Sequence, residues 1–418
     1  MQKITSKQTD PGLAKGSAEA SQFIKNGVII PDPSSVFIGQ LVNPEKIAPG
    51  TVIHPFCRVS GTKTSIGPGC VLGAEAPLTI DNCQLGTGVK LGGGYCSGAT
   101  FLDNSNMGSC AHVRPGTLLE EYANAAHAVG LKQTVLFPYV VLGSLINFCD
   151  CLMAGGTNRK NHSEVGSSYV HFNYTPHRDK ATPSLVGDVP RGVFIDQPPI
   201  FLGGQGGLVG PARIAFGAII PAGIIRRKDV LNAGLAGEDN QTQAAAGGFT
   251  AGAYRAIDRI IRNNLIYIGN IYALAMWYRN IRAKFMAEDK FQAACLTGAL
   301  ERFETILLER INRLEEIAGK MPQSIELNIK TGNDKLPYLQ QQKDFTSRWP
   351  KMKDELSSLA RFEGDAAKRD SFLAVITNLE NRSYLESIPA LDAKTKSNAC
   401  AWLQSIVDRT VGIWKSDR

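Results

Sequence analysis

A six-residue period dominates the sequence from Leu202 onward. An aliphatic residue opens each of four consecutive hexads, and these openers are Leu202, Leu208, Ile214 and Ile220. Neither the period of a helix nor that of an ordinary strand produces this spacing. Aliphatic residues at this interval, with Gly and Ala between them, predict a triangular parallel β-solenoid in which the openers point inward.

The same register is visible earlier in the chain. Its openers are Leu41, Ile47, Ile53 and Val59, and after a one-residue slip Ile66, Leu72, Leu78, Leu85 and Leu91. Four cysteines recur every 13 residues in this part, at Cys57, Cys70, Cys83 and Cys96. Because this spacing does not match a coil of about 18 residues, we interpret them as buried structural thiols.

The composition changes sharply near residue 250. All six His, 35 of 42 Gly and 17 of 21 Pro precede it, whereas all four Trp follow it. We therefore predict an N-terminal extension over 1–35, a β-helix over 36–232, a linker over 233–249 and an α-helical domain over 250–418.

Helical periodicity marks the last of these regions. The predicted helices are 254–284, 300–317, 346–361, 366–382 and 393–415. The aromatic residues Trp277, Tyr278, Trp349, Trp402 and Trp414 are expected to pack between them. We expect the domain to cap the open end of the solenoid or to form an oligomer contact.

Charge and hydropathy limit the possible partners. The net charge of +7 is spread evenly, so nucleic acid is not an expected partner. No apolar run reaches the roughly 18 residues of a membrane span, and the first residues do not resemble a signal peptide. With cysteines that look unpaired, a cytoplasmic protein is expected.

A polar segment at about 154–184 interrupts the hexads. It holds three of the six histidines, together with Glu164 and Asp179. This concentration of acid–base groups is typical of a functional loop.

The stretch 113–230 resembles the acetyltransferase half of the bifunctional bacterial UDP-N-acetylglucosamine pyrophosphorylase/glucosamine-1-phosphate acetyltransferases, of the hexapeptide-repeat family. The residues that carry the resemblance are Arg114-Pro-Gly116, Lys132 followed by Ser144-Leu145, Phe172-Asn173-Tyr174, Leu185-Val-Gly-Asp188, Val193-Phe194-Ile195 and Gly217-Ala-Ile-Ile-Pro-Ala-Gly223. The resemblance implies a left-handed β-helix, a homotrimer, and acyl transfer from acetyl-CoA to a sugar phosphate or nucleotide sugar.

The resemblance also assigns roles to individual residues. Arg114 and Lys132 match positions that bind the anionic part of the sugar phosphate. Asn173 and Tyr174 match the pair that lines the sugar and acetyl region. The remaining matches, at the expected acetyl-CoA site, are Ala222, Arg226 and Arg227.

The sequence departs from the family at the catalytic base. The family's His, twelve residues after the Lys, is replaced by Ser144, which does not act as a base near neutral pH. His162 or His171 of the inserted loop is the expected replacement. We predict that these two histidines share one outer face with four substrate-binding residues, Arg114, Lys132, Asn173 and Tyr174.

Other functions remain open. The Gly-rich nucleotide loop of the pyrophosphorylase half is missing, so nucleotidyl transfer is not expected. The loss of the family's His favours a non-catalytic nucleotide-sugar binder or scaffold. A metal site like that of γ-class carbonic anhydrases would use His162, His171 and His177, but their spacing gives no independent support, and no bound metal is expected.

Overall fold

A computed structural model describes residues 16–237, 249–332, 336–377 and 383–414. The first part of the chain is a parallel β-solenoid, as the hexads predict, and helices follow it. The four openers Leu202, Leu208, Ile214 and Ile220 are at most 2% exposed. The predicted fold class and the inward register of these hexads are therefore confirmed.

The solenoid has three faces, which the chain visits in turn. Face 1 is a ten-stranded parallel sheet. Its strands are Val52–Ile53, Val71–Leu72, Lys90–Leu91, Asn106–Met107, Asn124–Ala125, Val141–Leu142, Glu164–Val165, Phe201–Leu202, Ala218–Ile220 and Gly234–Leu235.

Two long strands, Gly130–Leu136 and Asn147–Met153, turn the corner between faces 2 and 3 and belong to both. The other strands of face 2 are Phe37–Ile38, Arg58–Ser60, Leu78–Asp81, Gly94–Ser97, Ala111–Val113, Val170–Phe172, Gly207–Val209 and Ile225–Arg226. The other strands of face 3 are Ser65–Ile66, Gln84–Leu85, Ala99–Phe101, Thr117–Leu119, Ser184–Val186 and Arg213–Ile214.

The register at the start of the solenoid differs from the prediction at one opener. Leu41 is 68% exposed, whereas the openers from Ile47 onward are buried. Cys57, Cys70 and the two following cysteines of the 13-residue series are also buried, and none forms a disulfide. They fill space in the solenoid interior.

The polar segment predicted to leave the coil at about 154–184 is not one excursion. Glu164–Val165 and Val170–Phe172 pair within faces 1 and 2, so the coil continues through the segment. A hairpin of Gly156–Asn158 and Asn161–His162 leaves the corner between faces 3 and 1. A second loop, 173–183, leaves the corner between faces 2 and 3.

The helices beyond the solenoid match the predicted segments, and two of them, Lys290–Lys330 and Leu336–Ser358, begin ten residues earlier than predicted. The chain also has two short helices earlier, and in chain order the helices are α1 Gly16–Lys25, α2 Val189–Gly192, α3 Asp258–Trp277, α4 Ala283–Met286, α5 Lys290–Lys330, α6 Leu336–Ser358, α7 Ala366–Thr377, α8 Tyr384–Ser387 and α9 Ala393–Gly412. Residues 238–248 of the predicted linker and 378–382 of one predicted helix lie outside the described residues. The five predicted packing aromatics are buried. Among the described residues, no helix meets the length and hydropathy that a bilayer span requires.

The helices from α3 onward pack against face 3 rather than over an end of the solenoid. Helix α5 runs along several strands of this face, and Gly298 brings it close to Gln84. Arg302 of α5 donates a hydrogen bond to the Gln84 side chain at 2.9 Å. The expectation that the helical region caps an open end is wrong, because the apolar stripe of α5 fits the long side of the prism.

Buried charges also join the two regions. The Arg282 guanidinium lies 3.0 Å from Glu120 and also pairs with Glu121, and Arg282 and Glu120 are almost completely buried. Tyr278 donates a hydrogen bond of 2.5 Å to Glu120. Since a buried charge requires a partner, these pairs fix the position of the helices on face 3.

Candidate functional site

The solenoid register stacks two predicted substrate-binding residues. Val113 pairs with Leu131, and Lys132 pairs with Cys149. Arg114, which follows Val113, therefore lies one coil above Lys132, and Lys132 lies one coil above Cys149. Neighbouring strands are about 4.8 Å apart, so the two cations and the thiol form one column beside the corner between faces 2 and 3.

Arg114 retains hydrogen-bonding capacity in this column. Its Nη2 lies 3.2 Å from Cys149 Sγ, and its buried Nε has no hydrogen-bond partner among the described residues. Burial raises the pKa of the Cys149 thiol, against the opposing effect of the Arg114 charge. A neutral thiol leaves the guanidinium without a full counter-charge, and an anionic ligand fits such a site.

Lys132 already has a carboxylate partner. Its Nζ lies 3.8 Å from Oε1 of Glu309 on helix α5, and both side chains keep 20 to 30% of their surface exposed. Glu309 also pairs with Arg313 at 2.8 Å. Burial opposes ionisation of Glu309, but Arg313, Lys132 and Arg310 together lower the pKa of its carboxyl.

Asn173 joins the same cluster through a buried carboxylate. Its Nδ2 donates a hydrogen bond of 3.1 Å to Oδ2 of Asp150, the residue after Cys149. Oδ1 of Asp150 lies 2.9 Å from Nη2 of Arg310, and both of these side chains are at most 2% exposed. The structure thus brings together three of the predicted residues, Arg114, Lys132 and Asn173.

Tyr174 follows Asn173 on loop 173–183 and is 59% exposed. Its side chain is accessible at the edge of the cluster.

The prediction that His171 lies on an outer face is wrong. Val170 and Phe172 point outward, so the intervening His171 points into the solenoid and is 2% exposed. Its Nδ1 lies 2.6 Å from the Cys149 carbonyl oxygen and its Nε2 lies 2.8 Å from Ser184 Oγ. Burial lowers the pKa of His171 to about 4, so it is a structural residue rather than an accessible base.

His162 is also separated from the cluster. It lies in the hairpin at the corner between faces 3 and 1, where its Nε2 is 3.7 Å from Glu164. Arg114 and Lys132 lie at the corner between faces 2 and 3. Within one chain, the predicted grouping of His162 with these cations is therefore wrong.

The three loop histidines do not converge on a metal site. His177 packs its ring on Tyr254, with 4.4 Å between ring centroids, and His162 and His171 lie at two other places. Among the described residues, no group of three metal-ligating side chains was found.

The predicted acetyl-CoA residues lie in the last coils. Leu208 pairs with Arg226, which places Arg227 beside Val209 and in line with the column that begins at Arg114. Five strand spacings separate Arg114 from Arg227, or about 24 Å. Ala222 lies at the corner between faces 1 and 2 of the same coil. Only a long ligand would contact both ends of this column.

Ser144, which stands where the family has its catalytic His, has a histidine neighbour. This histidine was not among the site residues predicted from the sequence. Ser144 Oγ lies 3.0 Å from Nδ1 of His127, one coil earlier at the corner between faces 1 and 2. His127 borders a groove of about 520 Å³ that Lys90, Asn106 and Glu75 also line. Hydrogen bonds from Ser109 and, less strongly, the charge of His127 lower the pKa of Glu75.

His127 and Lys132 belong to the same coil and flank the outward position of Gly130. They are five positions apart in the sequence, so the two side chains start at most about 18 Å apart. Gly130 has no side chain, which leaves face 2 open between the histidine and the cations. The sequence did contain a signal for the contact between His127 and Ser144, because the two residues are separated by about one coil.

No family model matches the chain. Curated relatives match half of the chain. The bifunctional proteins GlmU of Thermotoga petrophila and of Pelobacter propionicus are each 29% identical to it, over 210 and 212 residues. These matches cover 50% of the chain and 42% and 41% of the two relatives. The predicted resemblance is confirmed, and the chain spans less than half of the length of these relatives.

Solved structures also align with the chain. LpxA from Acinetobacter baumannii aligns over 66% of the chain and 95% of its own length, with 15% identity and a TM-score of 0.28. The Arabidopsis UDP-N-acetylglucosamine acyltransferase aligns over 45% of the chain and 71% of its own length, with 15% identity and a TM-score of 0.23.

Proposed function

We propose that the solenoid transfers an acetyl group from acetyl-CoA to the amine of a sugar phosphate or nucleotide sugar. The observation that carries the proposal is the column of Arg114 and Lys132 beside Asn173. A guanidinium and an ammonium on adjacent coils suit phosphoryl oxygens, and an amide at their edge suits a sugar hydroxyl. The similarity to GlmU proteins supports the same substrate class.

Neither of the loop histidines that the sequence favoured is part of this proposal. His127 takes the role of the base, with Ser144 holding its imidazole through the 3.0 Å contact. As the amine nitrogen attacks the thioester carbonyl, His127 accepts the amine proton. The C–S bond then breaks, and protonated His127 returns this proton to the departing sulfur, so that coenzyme A leaves as the thiol.

The long column explains how one face would hold both substrates. The sugar phosphate binds at Arg114 and Lys132, while the coenzyme A phosphates bind towards Arg226 and Arg227 in the last coils. Gly130 leaves room on face 2 between His127 and the two cations. Holding amine and thioester together would supply most of the rate enhancement.

Release of free coenzyme A thiol tests the reaction. Purified protein is incubated with acetyl-CoA in three parallel reactions, which contain glucosamine-1-phosphate, glucosamine or no acceptor. Thiol release that requires the phosphorylated acceptor supports the proposal. Absence of release with every amino-sugar phosphate or nucleotide sugar tested contradicts it.

The second candidate is a non-catalytic nucleotide-sugar binder. Ser144 in place of the family's His is the observation that favours it. Calorimetric binding of a nucleotide sugar without any acetyl transfer would support the binder. A change in melting temperature with acetyl-CoA would instead favour the transferase.

A further inference from the structure

Helix α5 supplies two consecutive residues to the candidate site. Glu309 contacts Lys132 at 3.8 Å, and Arg310 contacts Asp150 at 2.9 Å. Both residues lie at least 160 positions further along the chain than the solenoid residues that they contact. The site cluster is thus assembled from the solenoid and from a helix that lies far from it in sequence.

The same helical region holds the loop that carries Asn173 and Tyr174. Arg310 Nη1 donates a hydrogen bond of 2.9 Å to the Lys180 carbonyl oxygen, and Lys320 Nζ donates one of 2.8 Å to the Arg178 carbonyl oxygen. Tyr254 donates a hydrogen bond of 2.6 Å to Asp179 Oδ2. Loop 173–183 is therefore fixed from the helical side.

The Arg310 contact also fixes the orientation of Asn173. Arg310 holds one oxygen of Asp150, and the other oxygen accepts the Asn173 amide. Both charged side chains are almost completely buried, so Asp150 has little freedom to choose another partner. A change at Arg310 would therefore alter the orientation of the Asn173 side chain, although Arg310 itself does not contact the ligand.

Glu309 occupies the place that an anionic ligand would take on Lys132. Its carboxylate is held by Arg313 at 2.8 Å, so it keeps a cationic partner when it leaves Lys132. Both Lys132 and Glu309 are partly exposed, and a phosphate can reach the ammonium. The carboxylate and the phosphate compete for the same charge.

We propose that helix α5 is a working part of the ligand site, in which Glu309 competes with the ligand's phosphate for Lys132 and Arg310 positions Asn173 through Asp150. This inference rests on the proposed function for the ligand class, a sugar phosphate. It goes beyond that function in making the helical region set the affinity of the site. Selectivity follows, because a ligand must carry enough negative charge to displace Glu309.

The test for Glu309 is calorimetric binding of glucosamine-1-phosphate and of inorganic phosphate to Glu309→Gln. The variant should bind both about three- to fivefold more tightly than the wild type, the range expected for a partly exposed ion pair. Glucosamine, which lacks the phosphate, should bind equally to both proteins. Glu315→Gln is the matched control, since it removes one carboxylate from the same helix that pairs instead with Lys353.

The outcomes are distinct from those of the acetyl-transfer assay. Tighter phosphate binding by Glu309→Gln with no acetyl transfer keeps the inference and overturns the proposed function. Equal binding by Glu309→Gln, Glu315→Gln and the wild type overturns the inference, as does undetectable binding by all three.

The test for Arg310 is the replacement Arg310→Lys, which keeps a charge but loses the shared contact with Asp150 and the Lys180 carbonyl. It should raise the KM for the sugar phosphate about tenfold, and hydrogen exchange should increase in loop 173–183. Tyr254→Phe, which removes only the hydroxyl bound to Asp179, should increase exchange in the same loop. Unchanged exchange in this loop for both variants would overturn the positioning role.

Discussion

Arg310 of helix α5 and Asp150 of the solenoid form an ion pair of 2.9 Å in which neither side chain is more than 2% exposed. Asp150 lies at the corner between faces 2 and 3, one residue after the thiol that contacts Arg114. The pair therefore links the packing of the helical region to the geometry of the candidate site.

Replacement of Asp150 by Ala should destabilise the protein strongly. The change leaves the Arg310 guanidinium buried without its counter-ion, and removal of one partner of such a pair costs about 3 to 5 kcal/mol. Chemical denaturation measures the loss. Asp196→Ala, which removes a partly exposed partner of Lys396, is the control and should lose no more than about 1 kcal/mol. Similar losses for both variants would show that the buried pair has no special role.

Replacement of Arg114 by Ala should weaken the binding of a phosphorylated sugar and leave the fold intact. The loss of one charge-assisted contact corresponds to about 1.5 to 3 kcal/mol of binding free energy. Isothermal titration calorimetry measures it. Arg58→Ala removes an exposed cation from an earlier strand of the same face and should leave the affinity unchanged. Equal affinity of Arg114→Ala and the wild type would exclude Arg114 from the phosphate site.

His171 should make the stability of the protein depend on pH. Its pKa is lowered to about 4 in the folded state because the side chain is buried, whereas it is about 6.5 in the unfolded chain. As the pH falls, His171 is therefore protonated in the unfolded state before it is protonated in the folded state. The stability that neutral His171 contributes is present above pH 6.5 and is lost as the pH falls towards 4. The loss amounts to about 3 kcal/mol.

The measurement is urea denaturation of the wild type and of His171→Asn between pH 4 and 7. Protonation of Glu120 stabilises the folded state as the pH falls through this range, because burial raises the pKa of its carboxyl to about 7. Glu120 is present in both proteins, so its effect cancels in the difference between their free energies of unfolding. The stability difference between the two proteins should shrink as the pH falls. A difference that stays constant with pH would contradict the buried neutral histidine.

We expect the chain to be a homotrimer. The last three strands of face 1 align three exposed apolar side chains. These are Phe201, Ile219 and Leu235, which are 40%, 43% and 75% exposed. Light scattering at micromolar concentration should give three times the chain mass, and Ile219→Lys should reduce it. A monomeric wild type would exclude any contribution of a neighbouring subunit to the site.

The sequence predicted the parts of the site that depend on the coil period. Arg114 and Lys132 are 18 residues apart, so a coil of about that length stacks them without further information. The inward direction of His171 was missed, because side chains alternate along a strand and a shift of one residue reverses them. Loop composition alone did not fix that register.

The sequence did not predict the contacts between the helices and face 3. Arg310 and Asp150 are separated by 160 positions, and no local pattern indicates which face a helix covers. Asp150 did carry a signal, since a carboxylate between two cysteines in the apolar strand Asn147–Met153 requires a partner. The identity of that partner depends on tertiary packing.

The proposed reaction depends most directly on His127. Single-turnover acetyl transfer to glucosamine-1-phosphate by the wild type and by His127→Gln tests this role. A general base contributes about 100-fold or more to the rate, so the variant should lose at least that factor while its affinity for both substrates, measured by calorimetry, stays unchanged. Transfer by His127→Gln at the rate of the wild type would exclude His127 as the base, and no transfer by the wild type would exclude the reaction itself.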